Sequence, residues 1–172
     1  VFIAQGDIKE AQKYIKNIKA MGIENFSGLS KFKEFEQLKT KIENSKKQKK
    51  FDECLKYLDA ACKIAVSYKK YDLWTAECLV MTNKESEAKL IINKYPEDAF
   101  SFYVEGLIDF FDNKLEKSIL NFDKAINLKC ESDYALKYKQ AALSLQKYEI
   151  IIDKENEEAI NACESIISHK RV

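Results

Sequence analysis

The sequence predicts an all-α fold built from antiparallel helix pairs. Three observations lead there. Only 4 Gly and 1 Pro occur in 172 residues, about a quarter of the share in an average globular chain, and sheets lean on such residues for their turns. Apolar residues recur with a period near 3.6 along almost the whole chain. The links between periodic segments are short, which forces neighbours to run antiparallel. Hydrophobic residues make up 46% of the chain, enough to bury a core, so wholesale disorder is excluded.

Nine helices are expected, in this order. Asp7–Met21 follows a turn at Gln5-Gly6. A longer connector, Met21 to Leu29, leads to Ser30, whose hydroxyl suits an N-cap, and a long helix to about Gln48. Phe51–Ser67, Tyr71–Thr82 and Ser86–Lys94 come next. Tyr95-Pro96 must end a helix, because proline cannot continue one and restricts the residue before it. Asp98–Asn113, Leu115–Leu128, Ser132–Asp153 and Asn156–Ser168 complete the set, with a break expected at Asp153–Glu155.

Charge is near balance overall but uneven along the chain. Residues 1–50 carry 12 Lys against 6 acidic residues, and residues 51–172 carry 17 Lys/Arg against 22 acidic ones. The run Lys46-Lys47-Gln48-Lys49-Lys50 reads as a solvated turn. Arg171 is the sole arginine, so bidentate readers of bases and phosphates are nearly missing and no nucleic-acid partner is expected. No apolar run approaches the roughly 18 residues of a membrane span. The chain begins at Val1 and reads as a piece of a longer protein.

Five cysteines stand at 54, 62, 78, 130 and 163, with no C-x-x-C pair. Inside helical patterns they read as small buried hydrophobes, and a reducing compartment, the cytoplasm, is the simpler location. Cys62 and Cys78 are a pair that neighbouring helices could bring together. The lone histidine, His169, cannot supply a metal site or a nucleophile's base by itself. The four glycines are too far apart for a phosphate loop. No enzymatic activity, cofactor or metal is therefore expected.

A repeat organises the rest. Gly106 is followed twelve residues on by Ser118, then by Phe122 and Ala125. Ala76 is followed twelve on by Ala88, then by Ile92. Cys54, Leu58 and Ala61 give the same four-then-three pattern, as do Ala11, Ile15 and Ile18, and Ala159, Cys163 and Ile166. Small residues let two helices approach, and the large ones fill the seam between them. Cys54 to Ala88 and Ile42 to Ala76 both span 34 residues, the tetratricopeptide (TPR) period. Ala88 to Ser118 spans 30, so the helix before Tyr95-Pro96 has lost about one turn.

The phrases QGDIKEAQKYI, KKFDECLKYLDAA, NKESEAKLI, NKLEKSILNFDKAI and KENEEAINACESI resemble second helices of TPR units. The resemblance implies a right-handed α-solenoid, with a half repeat at 1–22 and repeats at about 30–67, 69–96, 98–130 and 132–169. TAECLVM (75–81), FYVEGLIDFF (102–111) and LEKSILNFDKAINL (115–128) further resemble the middle TPR units of DnaJ-type co-chaperones, which join TPR arrays to a J domain. That family implies a non-enzymatic scaffold that binds heat-shock chaperones or unfolded clients and assists folding. It has a cytosolic branch, which AECLVM and YVEGL favour, and one in the endoplasmic reticulum lumen. A structural spacer and an RNA-processing TPR scaffold are the alternatives.

Family members that grip C-terminal carboxylates use Lys/Asn, Asn and Lys/Arg at matched places on successive first helices. Here those places hold Lys39 and Glu43, then Trp74, then Phe100 and Val104, so no clamp is expected. First helices line the concave face of such arrays. They place Leu73, Val80, Met81, Phe100, Tyr103, Leu107, Phe110, Phe111, Tyr148 and Ile151 there. Leu73, Met81, Phe100, Tyr103, Leu107, Phe110, Phe111 and Tyr148 are the expected client or peptide groove. The competing readings of this stripe are core packing and self-association.

Overall fold

The computed structural model describes residues 8–23 and 27–169. The chain divides into two compact units after Pro96. Unit 1 contains α1 (Ile8–Ala20), α2 (Ser27–Lys47), α3 (Phe51–Ile64), α4 (Lys69–Val80) and α5 (Glu85–Ile92). Unit 2 contains α6 (Ala99–Phe111), α7 (Leu115–Asn127) and α8 (Ala135–His169). No strand occurs among the described residues, and the fold is all-α. The expected turn at Gln5-Gly6, the centre of the connector at 24–26, and the side chains of Cys163, Ile166 and His169 lie outside the described residues.

Helices pack on their neighbours in chain order within each unit: α2 on α3, α3 on α4, α4 on α5; then α6 on α7, α7 on α8, with α8 also reaching α6. Four helix endings, those of α2, α4, α6 and α7, share one geometry. Lys49, Asn83, Asn113 and Lys129 all adopt φ of 58°. At each, two backbone hydrogen bonds close the preceding helix. Lys50 N–H donates to Ser45 C=O and Lys49 N–H to Lys46 C=O; Lys84 to Leu79 and Asn83 to Val80; Lys114 to Asp109 and Asn113 to Phe110; Cys130 to Ala125 and Lys129 to Ile126. This is the Schellman ending, which satisfies carbonyls that the helix leaves orphaned. In the first three, the next helix begins after a single further residue, Lys50, Lys84 or Lys114. The chain therefore folds back at once.

Across each of these three reversals a seam forms twelve residues wide. Ile42 and Cys54, Ala76 and Ala88, Gly106 and Ser118 are all buried. The Ser118 hydroxyl donates to the Gly106 carbonyl at 2.9 Å, and the Cys54 thiol makes the same contact with the Ile42 carbonyl at 3.9 Å. One turn further on, Leu58, Ile92 and Phe122 fill the seam. In unit 2, Gly106 and Ser118 meet while Tyr103 and Phe122 pack at 6.2 Å between ring centres. As one index falls the other rises, so α6 and α7 are antiparallel. Turns and seams recur at 34 and then 30 residues. The short interval coincides with α5, which has 8 residues against 14 in α3 and 13 in α7.

Two expectations need correction. Ser30 is not a cap: α2 begins at Ser27, and Ser30 stands exposed in its first turn. Among α3 to α7 the helix with a side-chain cap is α6, where Asp98 accepts the Phe100 N–H at 2.7 Å. The break at Asp153–Glu155 is also absent. α8 is one helix of 35 residues, about 52 Å long at 1.5 Å per residue. It begins at Ala135, after a turn at Ser132–Tyr134. No glycine or proline interrupts it, and Lys154, Glu155, Glu157 and Glu158 are good helix formers. Residues 147–161 are all exposed, so Ala159 lines no seam and residues 132–169 do not form a helix pair.

The Gly106 seam admits a direct test. A Cβ at this position would lie 2.6 Å from the buried Phe122 ring. Gly106→Leu therefore overpacks the seam and lowers stability by about 1–3 kcal/mol, read from the urea midpoint. A midpoint equal to the parent's would show that α6 and α7 do not close on this residue.

Candidate functional site

Unit 1 places its distinctive chemistry where α2, α3 and α4 meet. Its core joins Phe35, Leu38 and Ile42 of α2 with Cys54, Leu58 and Ala61 of α3, and with Tyr71 and Cys78 of α4. Tyr71 is the aromatic hub. It stacks on Phe35 at 5.6 Å and on Trp74 at 5.7 Å, and meets Tyr68 edge-on at 4.8 Å. Burial pushes its hydroxyl above the usual tyrosine range.

Beside this hub, Lys46 Nζ lies 2.5 Å from Glu77 Oε2 and 4.3 Å from the centre of the Trp74 ring. Lys70 Nζ also approaches Trp74, at 5.1 Å. Glu77 is only 4% exposed. Lys46 thus belongs to a buried ion pair that ties α2 to α4, and only residues 47–50 of the lysine run form an exposed turn. The pair also sits beside two cysteines. The hydrogen bond from Cys78 pulls the Cys54 thiol down to about 7 against the effect of burial, with Ser45 and the Lys46 charge adding to it. That hydrogen bond and burial hold the Cys78 thiol far above its ordinary value. Cys62 does not partner Cys78. It faces Asp72 and Asp59, and burial followed by those two carboxylates pushes it up to about 11.

Of the expected groove, unit 1 holds Leu73, which is buried, and Met81, half-buried at the end of α4. Val80 is buried as well. Unit 2 holds the rest. Tyr103 and Leu107 are fully buried and act as core, packed with Val104, Ile108 and Phe122. Phe100 is half-buried and edge-on to Tyr103 at 5.2 Å. Phe110 and Phe111 meet Tyr138 of α8 at 5.5 and 6.3 Å. Phe111 remains 50% exposed and Tyr148 64% exposed, with Ile151 also exposed on α8. Asn113 Nδ2 donates to Glu149 Oε1 at 3.0 Å, which brings the Tyr148 turn of α8 to the α6–α7 reversal. Of the expected groove residues in unit 2, Phe111 and Tyr148 are the exposed ones; Leu120, Leu136, Leu143, Ile150 and Ile152 are among the other exposed apolar residues of the unit.

At the matched carboxylate-clamp places, Trp74 stacks on Tyr71, Phe100 packs on Tyr103 and Val104 is fully buried. Lys39 and Glu43 are half-buried on α2. Among the described residues no group of three or more His, Cys, Asp or Glu could hold a metal ion, and no helix is long and apolar enough to cross a membrane. Sequence reasoning missed the Lys46–Glu77 ion pair and the burial of Cys54 and Cys78 in one core cluster. The available signal was the helical face: Cys78 stands one heptad after Tyr71, on the side of α4 that looks back to α3.

Removing one partner of a buried ion pair strands the other's charge. Lys46→Met should cost about 3 kcal/mol, measured by urea unfolding at neutral pH. Adding Glu77→Leu should restore most of that loss, because no buried charge remains. Equal and additive losses in the two single variants would mean that the groups do not interact.

No protein-family model, curated protein or solved structure matches the chain.

Proposed function

We propose that the chain is a TPR-type α-solenoid segment that acts as a non-enzymatic protein-interaction scaffold, of the kind found in DnaJ-like co-chaperones. One observation carries this reading. The same helix-ending turn and the same twelve-residue seam recur at 34 and then 30 residues, which is how repeat units stack. A scaffold of stacked pairs works through surface, and unit 2 offers an apolar one. Phe111 and Tyr148 are large, aromatic and exposed, and such residues anchor protein partners.

The ligand class that fits is an apolar segment of another protein, as in an unfolded client. A carboxylate-terminated tail fits less well, since Trp74, Phe100 and Val104 stand where charge-assisted donors would be needed. The expected groove is narrowed, because Tyr103 and Leu107 are core. Heat-shock chaperones remain partners of the co-chaperone reading, engaged through other parts of such a protein. Cytoplasmic location belongs to the same reading.

The test uses residues that the core does not need. Phe111→Ser combined with Tyr148→Ser should abolish suppression of a model client's aggregation, measured by light scattering. Helicity and melting temperature should stay close to the parent's. A folded double variant that suppresses as well as the parent would contradict the client reading.

A further inference from the structure

We propose that the chain forms a twofold dimer through α8, in which two copies of this helix lie antiparallel with Leu145 of each against Tyr148 of the other. The dimer goes beyond the interaction role proposed above and does not depend on it. Every residue of α8 from 147 to 161 is exposed, and an apolar face reaches into that half. Positions 138, 141, 145, 148, 152, 155 and 159 are spaced by three and four in alternation, the 3.5-residue repeat of a coiled-coil seam. The seam is about 32 Å long at 1.5 Å per residue. Leu145, Tyr148 and Ile152 stand in its middle, and all three are exposed. Of its seven positions only that of Glu155 carries a charge.

Charge selects a second copy as the occupant and sets its direction. Between 135 and 148 the helix carries Lys137, Lys139 and Lys147 and no acidic residue. Between 149 and 161 it carries Glu149, Asp153, Glu155, Glu157 and Glu158 against Lys154. The first half is therefore +3 and the second −4, and of the three lysines only Lys139 already has an acidic partner within its own chain, Asp123. Two parallel copies would set acidic half against acidic half. Two antiparallel copies set each acidic half against a basic one, twice by symmetry, and such a contact closes on itself.

The seam also fixes the register. With Leu145 level with Tyr148 of the second copy, Ile152 meets Ala141, and Glu155 falls level with Tyr138 near the end of the seam rather than at its centre. Lys137 and Glu158 each stand one residue before a seam position and so share one edge of the seam. Both are exposed. A twofold axis brings like edges together, so Lys137 of each copy faces Glu158 of the other, within about 3 Å of the same level along the helix. The dimer covers Tyr148 in both copies, so a client at that residue competes with the second copy.

Sedimentation velocity of the 172-residue chain, over a range of concentrations and with no client present, tests the dimer separately from the client reading. The expected result is a 20.0 kDa monomer giving way to a dimer as concentration rises. Salt should weaken the dimer, because opposite charges face each other. Ile152→Glu should abolish it and leave helicity unchanged, since residue 152 is exposed. Lys137→Glu and Glu158→Lys should each weaken it about tenfold, through two ion pairs lost per dimer, and the two changes in one chain should restore it. A chain that stays monomeric at every concentration would give the face to a different protein and overturn the proposal. So would a dimer that salt strengthens, one that Ile152→Glu leaves intact, or a double variant no tighter than the single ones, because a parallel or unrelated contact does not set residue 137 against residue 158.

Discussion

The left-handed residue that ends a helix is the constraint on which the rest of the structure depends. A helix stops with unpaired carbonyls. At Lys49, Asn83, Asn113 and Lys129 a single residue at φ 58° turns its own N–H and the one after it back onto them. At three of these sites the following helix begins almost at once, so it must run back alongside its predecessor. The seam residues then fall at fixed places on either side. Their size sets how closely the helices approach, and the rings behind them fill what is left. Burial of Cys54, Ala88 and Ser118 is thus a consequence of where the turns stand.

The same logic explains where order and exposure lie. α8 lacks such a turn within its 35 residues, so it never folds back on itself. Its first half is covered where Ala135, Tyr138 and Ala142 meet α6 and α7. Residues 147–161 have no helix over them and are exposed. In unit 1 the α2–α4 contacts are of another kind. An aromatic stack and a buried Lys–Glu pair join the first helices of successive pairs. The Lys46 ammonium gains both a carboxylate and the face of Trp74, which offsets much of its desolvation.

Much of the fold was legible because small residues at twelve-residue spacing imply a helix, a reversal and a helix. The shortened α5 could be read from the 30-residue interval and Pro96. The turns themselves were less legible. Asparagine tolerates the left-handed region and marks two of them, but lysine at 49 and 129 gives no such sign. The tail of the chain misled for a related reason. KENEEAINACESI has the small-residue pattern of a second helix, yet nothing before it can break the first. At the candidate site, a period of 3.6 locates the apolar face of α6 but does not say how many neighbours that face meets. Tyr103 and Leu107 therefore went from groove to core, while Phe111 and Tyr148 stayed on the surface. Lys46–Glu77 joins residues 31 positions apart, and only the packing of helices brings them together.

The central claim is that left-handed helix endings set the architecture, and the sign of one substitution tests it. In a helix interior or an ordinary exposed turn, Lys→Gly lowers stability by roughly 0.5–1 kcal/mol through the entropy of the unfolded chain. At a left-handed position glycine instead removes the steric strain that a side chain imposes, worth about 1 kcal/mol. Urea unfolding of Lys49→Gly and Lys129→Gly should therefore show each variant more stable than the parent, and the double variant more stable still. Loss of stability in both would contradict the account, because it would mean that these residues do not hold the left-handed turn.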